Sequence, residues 1–151
     1  LTSLDLEKQI IHKHGNEKIK EILSKVDILL PNKEGAMEFT GQATPESAAE
    51  YFLDFGIKYC IITLGKQGAL AATKEGIINV PAYHIKPIDT TGAGDTFCAM
   101  FCYALVNNYS VEKALRYSNA AAAIKCLKMG ARSGMPNLIE VEQFINRNGS
   151  K

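Results

Sequence analysis

Four consecutive residues, Gly92, Ala93, Gly94 and Asp95, are the part of this chain best suited to do chemistry. Two of them lack a Cβ, so backbone N–H groups there can come close to an anion. The fourth is a carboxylate, and the run that follows, "TFCAMFCYALV", carries no charge. Three phosphate-binding patterns compete for "GAGDTF". A Walker loop ends in Gly-Lys-Ser/Thr, which this chain lacks. A dinucleotide fingerprint needs a third glycine where Phe97 stands, and a ring there blocks close packing of helix on strand. The third pattern is a loop opening directly into a helix, whose unpaired N–H groups and dipole form an anion hole. An acid beside a bound anion is out of place for binding alone. It is in place where a carboxylate takes the proton from a hydroxyl attacking a phosphate. A plainer reading makes Asp95 the N-cap of an ordinary helix and the glycines a turn. The local pattern does not choose between them.

The elements that would hold these residues alternate along the chain. "NEKIKEILSK", residues 16 to 25, spaces Ile19, Ile22 and Leu23 as an amphipathic helix. "VDILLP" is a short apolar run stopped by Pro31, a buried strand, and Asn32 stands as N-cap ahead of "KEGAMEFTG", with Gly41 as its stop. Thr44 caps a further helix with Pro45 at its first position, Glu46 in its first turn and Gly56 at its end. "KYCIITLG" reads as a buried strand. "GALAAT" and "GIINVPAY" read as a hairpin or a pair of edge strands. The segment after Asp95 is apolar on every side, which predicts a helix running through the interior. Ser110 caps the next helix, whose "NAAAAI" run permits close approach, and Leu138, Val141 and Ile145 form one face of a last helix over roughly 138 to 146. Alternation at this spacing predicts one α/β domain with a largely parallel sheet.

Composition narrows the function classes. With 46% apolar and 22% charged residues in 151, the chain is an ordinary globular one. A net charge of +1, 8% aromatic residues and no tryptophan argue against nucleic acid. The early lysines Lys8, Lys13, Lys18, Lys20 and Lys25 are interspersed with acids, as on a solvated helix face. No membrane partner is expected, because no apolar run approaches the length of a span and no basic-then-apolar leader precedes the fold. Cys60, Cys98, Cys102 and Cys126 form no C-x-x-C pair and read as buried, reduced thiols of a cytoplasmic protein. Cys98 and Cys102 lie one helical turn apart, yet nothing nearby adds further metal ligands.

"DTTGAGDTFCAMF", with "ITLGKQGAL" upstream and "SNAAAAIKCLKMGARSGMP" downstream, resembles the C-terminal half of the ribokinase-like (PfkB-type) carbohydrate kinase family. Together with "LLPNKEGAMEFTG" these segments span nearly the whole chain in matching order. The resemblance implies a ribokinase-like three-layer αβα fold with a mostly parallel sheet. Residues 1 to 151 would be its C-terminal nucleotide-binding portion, a single α/β domain without the N-terminal half and β lid. "LTSLDLE" then falls where that half ends. The activity implied is ATP-dependent phosphotransfer to a hydroxyl of a sugar, polyol or nucleoside, needing ATP, Mg2+ and, in many members, a monovalent cation such as K+. Asp95 is implied as catalytic base and Gly92, Ala93 and Gly94 as the anion hole. Asn32, Thr63, Gly65, Gly68 and Asn119 fall along the nucleotide site, Asn119 near the adenine. Asp89 and the carbonyls of Thr91, Cys126 and Gly130 fall where the cation is held. Many members pair as homodimers through the lid.

Two positions depart from the family pattern. Its Asn-x-x-Glu, whose acid helps organise Mg2+, runs here Asn32-Lys33-Glu34-Gly35. On a helix, Glu34 and Glu38 point about 100° and 300° away from the expected direction. Gly134 replaces a serine that some relatives add to the cation site. These departures and the absent half of the acceptor site support a second expectation, a nucleotide- or anion-binding module without turnover, or a degenerate, truncated relative. Taken alone this chain would be an incomplete kinase.

Overall fold

The computed structural model describes residues 1–148, in two compact units. The first comprises Leu1–Leu64 and Ala69–Asn79, the second Gly65–Gly68 and the residues from Val80 onward.

The first unit is built on a sheet ordered as in the sequence: β1 (Ser3–Leu6), β2 (Ile28–Pro31), β3 (Tyr59–Thr63), β4 (Ala69–Thr73) and β5 (Gly76–Val80). β1, β2 and β3 run parallel, with Leu4 opposite Leu29 and Leu29 opposite Cys60. β4 returns antiparallel to β3, pairing Ile61 with Ala71, so the sheet is mixed. This is the α/β fold that the alternation predicts. Every residue of β2 and β4 is buried, as the continuous apolar runs require of strands covered on both faces.

Between the strands lie α1 (Lys8–His14), α2 (Asn16–Leu23), α3 (Lys33–Thr40) and α4 (Pro45–Leu53). The caps fall where side-chain chemistry puts them. Asn32 Oδ1 accepts the Gly35 N–H at 2.7 Å, Thr44 Oγ1 accepts the Ser47 N–H at 3.1 Å, and Gly41 closes α3. Leu6, Leu23, Leu29, Phe52, Ile62 and Leu70 are sealed from solvent in one core, where Phe39 and Phe52 stack at 5.4 Å.

Asp27, just before β2, ties the strand starts together. Its carboxylate accepts the Thr2 N–H at 2.8 Å and meets Lys58 Nζ at 2.7 Å. The Lys58 ammonium, with the Thr2 N–H beside it, holds the Asp27 carboxyl down to about 2. A carboxyl depressed by folding stabilises the fold above its ordinary pKa of about 3.9, and that contribution disappears as pH falls towards 2. Urea midpoints are therefore expected to fall between pH 4 and pH 2, and Asp27→Asn to flatten that part of the curve. An unchanged slope in the variant would remove Asp27 from the account.

The second unit contains α5 (Ala93–Val106), α6 (Val111–Cys126) and α7 (Leu138–Asn148). Ser110 caps α6 through the Lys113 N–H. Phe97, Phe101 and Ala104 of α5 are buried, as are Ala114, Leu115, Ser118, Ala120 and Ala121 of α6, and the two helices pack closely along the small-residue stripe. Val141 and Ile145 of α7 join Ala120, Ala121 and Ile124 in a second cluster. One expectation is corrected here. α5 does not run buried on all sides: Tyr103 and Val106 are 44% and 72% exposed, because α6 covers only one of its faces. For the same reason Cys98 and Cys102 are half-buried, whereas Cys60 and Cys126 are buried; none of the four is in a disulfide.

Candidate phosphoryl-transfer site

The glycine loop turns into α5 through Gly92, which is the N-cap with φ 79° and ψ 8°. That left-handed conformation is cheap only without a Cβ, and one built there would lie 3.0 Å from Ala131 O. Asp95 is consequently the third residue of the helix. The N-cap is Gly92, so Asp95 is not the capping residue the plainer reading made it. Thr96 reinforces the turn, its N–H and hydroxyl both donating to Gly92 O, at 3.0 and 2.8 Å. The Ala93 N–H is taken by Thr90 O at 3.1 Å, whereas the N–H groups of Gly94 and Asp95 have no backbone partner among the described residues. Gly94 and Asp95 are exposed, and nothing lies within 4 Å of where a Gly94 Cβ would be. The turn therefore offers free N–H groups, the positive end of a 14-residue helix and a carboxylate in an open position. Beside it, Thr96, Met100, Tyr103, Met135 and Leu138 line a groove of about 290 Å³.

Behind the loop, Asp89 is the anchor. Its Oδ1 accepts the Thr91 N–H at 2.9 Å and its Oδ2 the Gly130 N–H at 2.7 Å. Those hydrogen bonds, Thr91 first, hold the carboxyl down to about 2. Cys126 O accepts the N–H groups of Ile88 and Asp89, at 2.7 and 3.2 Å. Asp89, Thr91, Cys126 and Gly130 thus lie together, joined by N–H donors rather than around an ion. One group was not anticipated: Lys125, wholly buried, donates from Nζ to Asp89 O at 2.8 Å. A single charge inside "AAAAIKCL" was the available signal.

The other expected residues are placed as follows. Asn119, 6% exposed, donates its amide to Val80 O and Pro81 O, at 3.0 and 3.2 Å. Gly65 opens a single 3₁₀ turn, Gly65–Gln67, and Gly68 closes it at φ 104°. Thr63 ends β3 and bridges to Asn32, whose side-chain oxygen is committed to the cap. These two belong to the first unit and the glycine loop to the second.

Gly35 is not merely an acid lost. It is buried, and a Cβ there would lie 2.9 Å from Leu6 O, 3.0 Å from Asn32 Oδ1 and 3.2 Å from Lys8 N. Gly35→Glu, which restores the acid the resemblance places there, is therefore expected to destabilise by about 1–3 kcal/mol through overpacking. A thermal melt at or above wild type would contradict that. Glu38 is engaged by Lys8 Nζ at 2.8 Å and by His12, and Glu34 is exposed. Among the described residues no group of three or more His, Cys, Asp or Glu side chains is poised around a metal. No helix among them is long and apolar enough to cross a membrane.

The same residues match known proteins. A family model described as pfkB family carbohydrate kinase matches residues 8–138. An ATP-dependent 6-phosphofructokinase of Thermoanaerobacterium thermosaccharolyticum is 38% identical over 132 residues, covering 87% of this chain and 41% of the relative. A ribokinase of Staphylococcus aureus is 39% identical over 129 residues, covering 82% of this chain and 42% of the relative. The solved structure of Arabidopsis thaliana ribokinase with ribose and ATP superposes with a TM-score of 0.78 at 32% identity, covering 83% of this chain and 43% of that one. The chain thus spans about two-fifths of the length of these relatives. Fold, loop and matched residues lead to one conclusion: the chain belongs to the pfkB family of carbohydrate kinases.

Proposed function

We propose that this chain supplies the nucleotide site and the transfer loop of an ATP-dependent carbohydrate kinase. The observation that carries the reading is the open turn at Gly92–Asp95, where free N–H groups and a carboxylate share one helix end. When bound, ATP supplies the γ-phosphoryl group. An acceptor hydroxyl gives its proton to Asp95, its oxygen bonds to the γ-phosphorus, and the bond to the ADP oxygen breaks. The N–H groups of Gly94 and Asp95 stabilise the charge spread over the moving phosphoryl oxygens, an electrostatic role that needs no rearrangement during transfer. On this reading Gly65, Gly68 and Asn119, all of the second unit, serve the nucleotide side of the site. The acceptor is a sugar or a related polyol, in line with the ribose bound by the Arabidopsis ribokinase.

The residues around Asn32 do not fit a Mg2+ held by the protein, since the acid position is a packed glycine and Glu38 is engaged elsewhere. Mg2+ would be held through nucleotide phosphates and water, as this ion commonly is.

The reading is tested on the whole protein with calorimetry against ATP and Mg2+, then a panel of sugar and polyol acceptors. Nucleotide binding with phosphorylation of at least one acceptor is the expected result. A second reading, binding without turnover, is favoured by Gly35; saturable nucleotide binding with no product across the panel would establish it. Absence of binding overturns both.

A further inference from the structure

We propose that the Lys125 ammonium is a built-in cation, standing behind the transfer loop in place of a monovalent metal ion. The proposal rests on the phosphotransfer reading above, and its site is the cluster of Asp89, Thr91, Cys126 and Gly130.

An added ion does not fit that cluster. Both Asp89 carboxylate oxygens already accept N–H groups, from Thr91 at 2.9 Å and Gly130 at 2.7 Å. Cys126 O accepts two more, from Ile88 and Asp89. Lys125 Nζ donates to Asp89 O at 2.8 Å and stands 3.9 Å from Asp89 Oδ2, so a full positive charge already sits beside the one carboxylate the cluster offers an ion. Lysine is almost never fully buried unless paired, and this side chain is 0% exposed. A second cation among the same atoms would meet an unscreened like charge at short range.

The geometry also says what the ammonium does. Lys125 pulls on the Asp89 carbonyl while the Asp89 carboxylate holds the Thr91 N–H, which fixes both residues ahead of Ala93, where α5 begins. Gly130, on the opposite wall, is drawn to the same carboxylate, and its neighbour Ala131 is the residue against which Gly92 packs. Lys125 is thus a positioning residue that acts through Asp89 on the turn at Gly92. It touches no reacting atom.

The test compares the whole protein with its Lys125→Met variant in choline buffers free of K+, Na+ and NH4+, then titrates KCl or NH4Cl at constant ionic strength. Wild-type kcat is expected to change less than about twofold across the titration, whereas Lys125→Met loses about tenfold or more and regains much of it saturably with NH4+ or K+. Strong activation of the wild type by K+, or a variant fully active without added ion, would overturn the proposal. A second readout does not depend on turnover. Thermal melting in KCl against choline chloride is expected to leave the wild type unmoved and to raise the variant by several degrees through linked binding. A K+-specific rise in the wild type overturns the inference even if Lys125→Met fails to fold. A protein that binds no nucleotide yet shows the expected melting pattern would sink the kinase reading and leave the built-in cation standing.

Discussion

Asp95→Asn in the whole protein is expected to lower kcat for phosphoryl transfer by about 10²–10⁴-fold while leaving the KM for ATP nearly unchanged. The substitution keeps the shape of the side chain and the backbone N–H of residue 95, so the turn capped by Gly92 and the free Gly94 N–H survive. What is lost is the ability to receive a proton. Because Asp95 lies in the first turn of α5 without capping it, and is exposed, little of the fold depends on its charge. Initial rates against both substrates, with melting curves to confirm folding, give the measurement. Transfer within about tenfold of wild type would remove Asp95 as the base.

Gly68→Ala is expected to be the most damaging small change to stability. A Cβ at Gly68 would lie 2.1 Å from Val80 O, 2.6 Å from Ala82 N and 2.7 Å from Pro81 C, all backbone atoms. The φ of 104° adds strain that no side chain relieves. Nor can the opposing strand end step back freely, because the Asn119 amide holds Val80 O and Pro81 O. Overpacking and strain together should cost about 3 kcal/mol, roughly 6–12 °C in Tm for a chain of this size. Gly65→Ala, where nothing lies within 4 Å, serves as the control. Equal melting temperatures for the two variants would contradict the packing argument.

The contrast between these glycines shows how far the sequence could be read. Caps at Asn32, Thr44 and Ser110 were legible because a cap is a local bargain between a side chain and the next turn. The buried strands were legible as uninterrupted apolar runs, and the "GAGD" turn as two missing Cβ atoms beside an acid. α1 went unread: its apolar residues, Ile10 and Ile11, are adjacent and show no helical period. The exposed face of α5 was unreadable because exposure depends on which neighbours are present. Gly35, Gly68 and Lys125 owe their roles to atoms far off in sequence, at Leu6, Val80 and Asp89, and no local pattern carries that information. Lys125 was the nearest to legible, since a lysine within a buried alanine stripe must have a partner somewhere.

The unequal burial of the four thiols bears on how this protein would age in storage. Burial pushes the Cys60 and Cys126 thiols up, which keeps them inert, whereas Cys98 and Cys102 are half-buried on the helix whose first turn holds Asp95. Oxidants and alkylating agents therefore reach α5, whose first turn carries the glycine loop, before they reach β3. A stored preparation would gather oxidised sulfur on α5 while its melting curve still looked intact, and a reductant in the buffer would protect that helix before it protected the core.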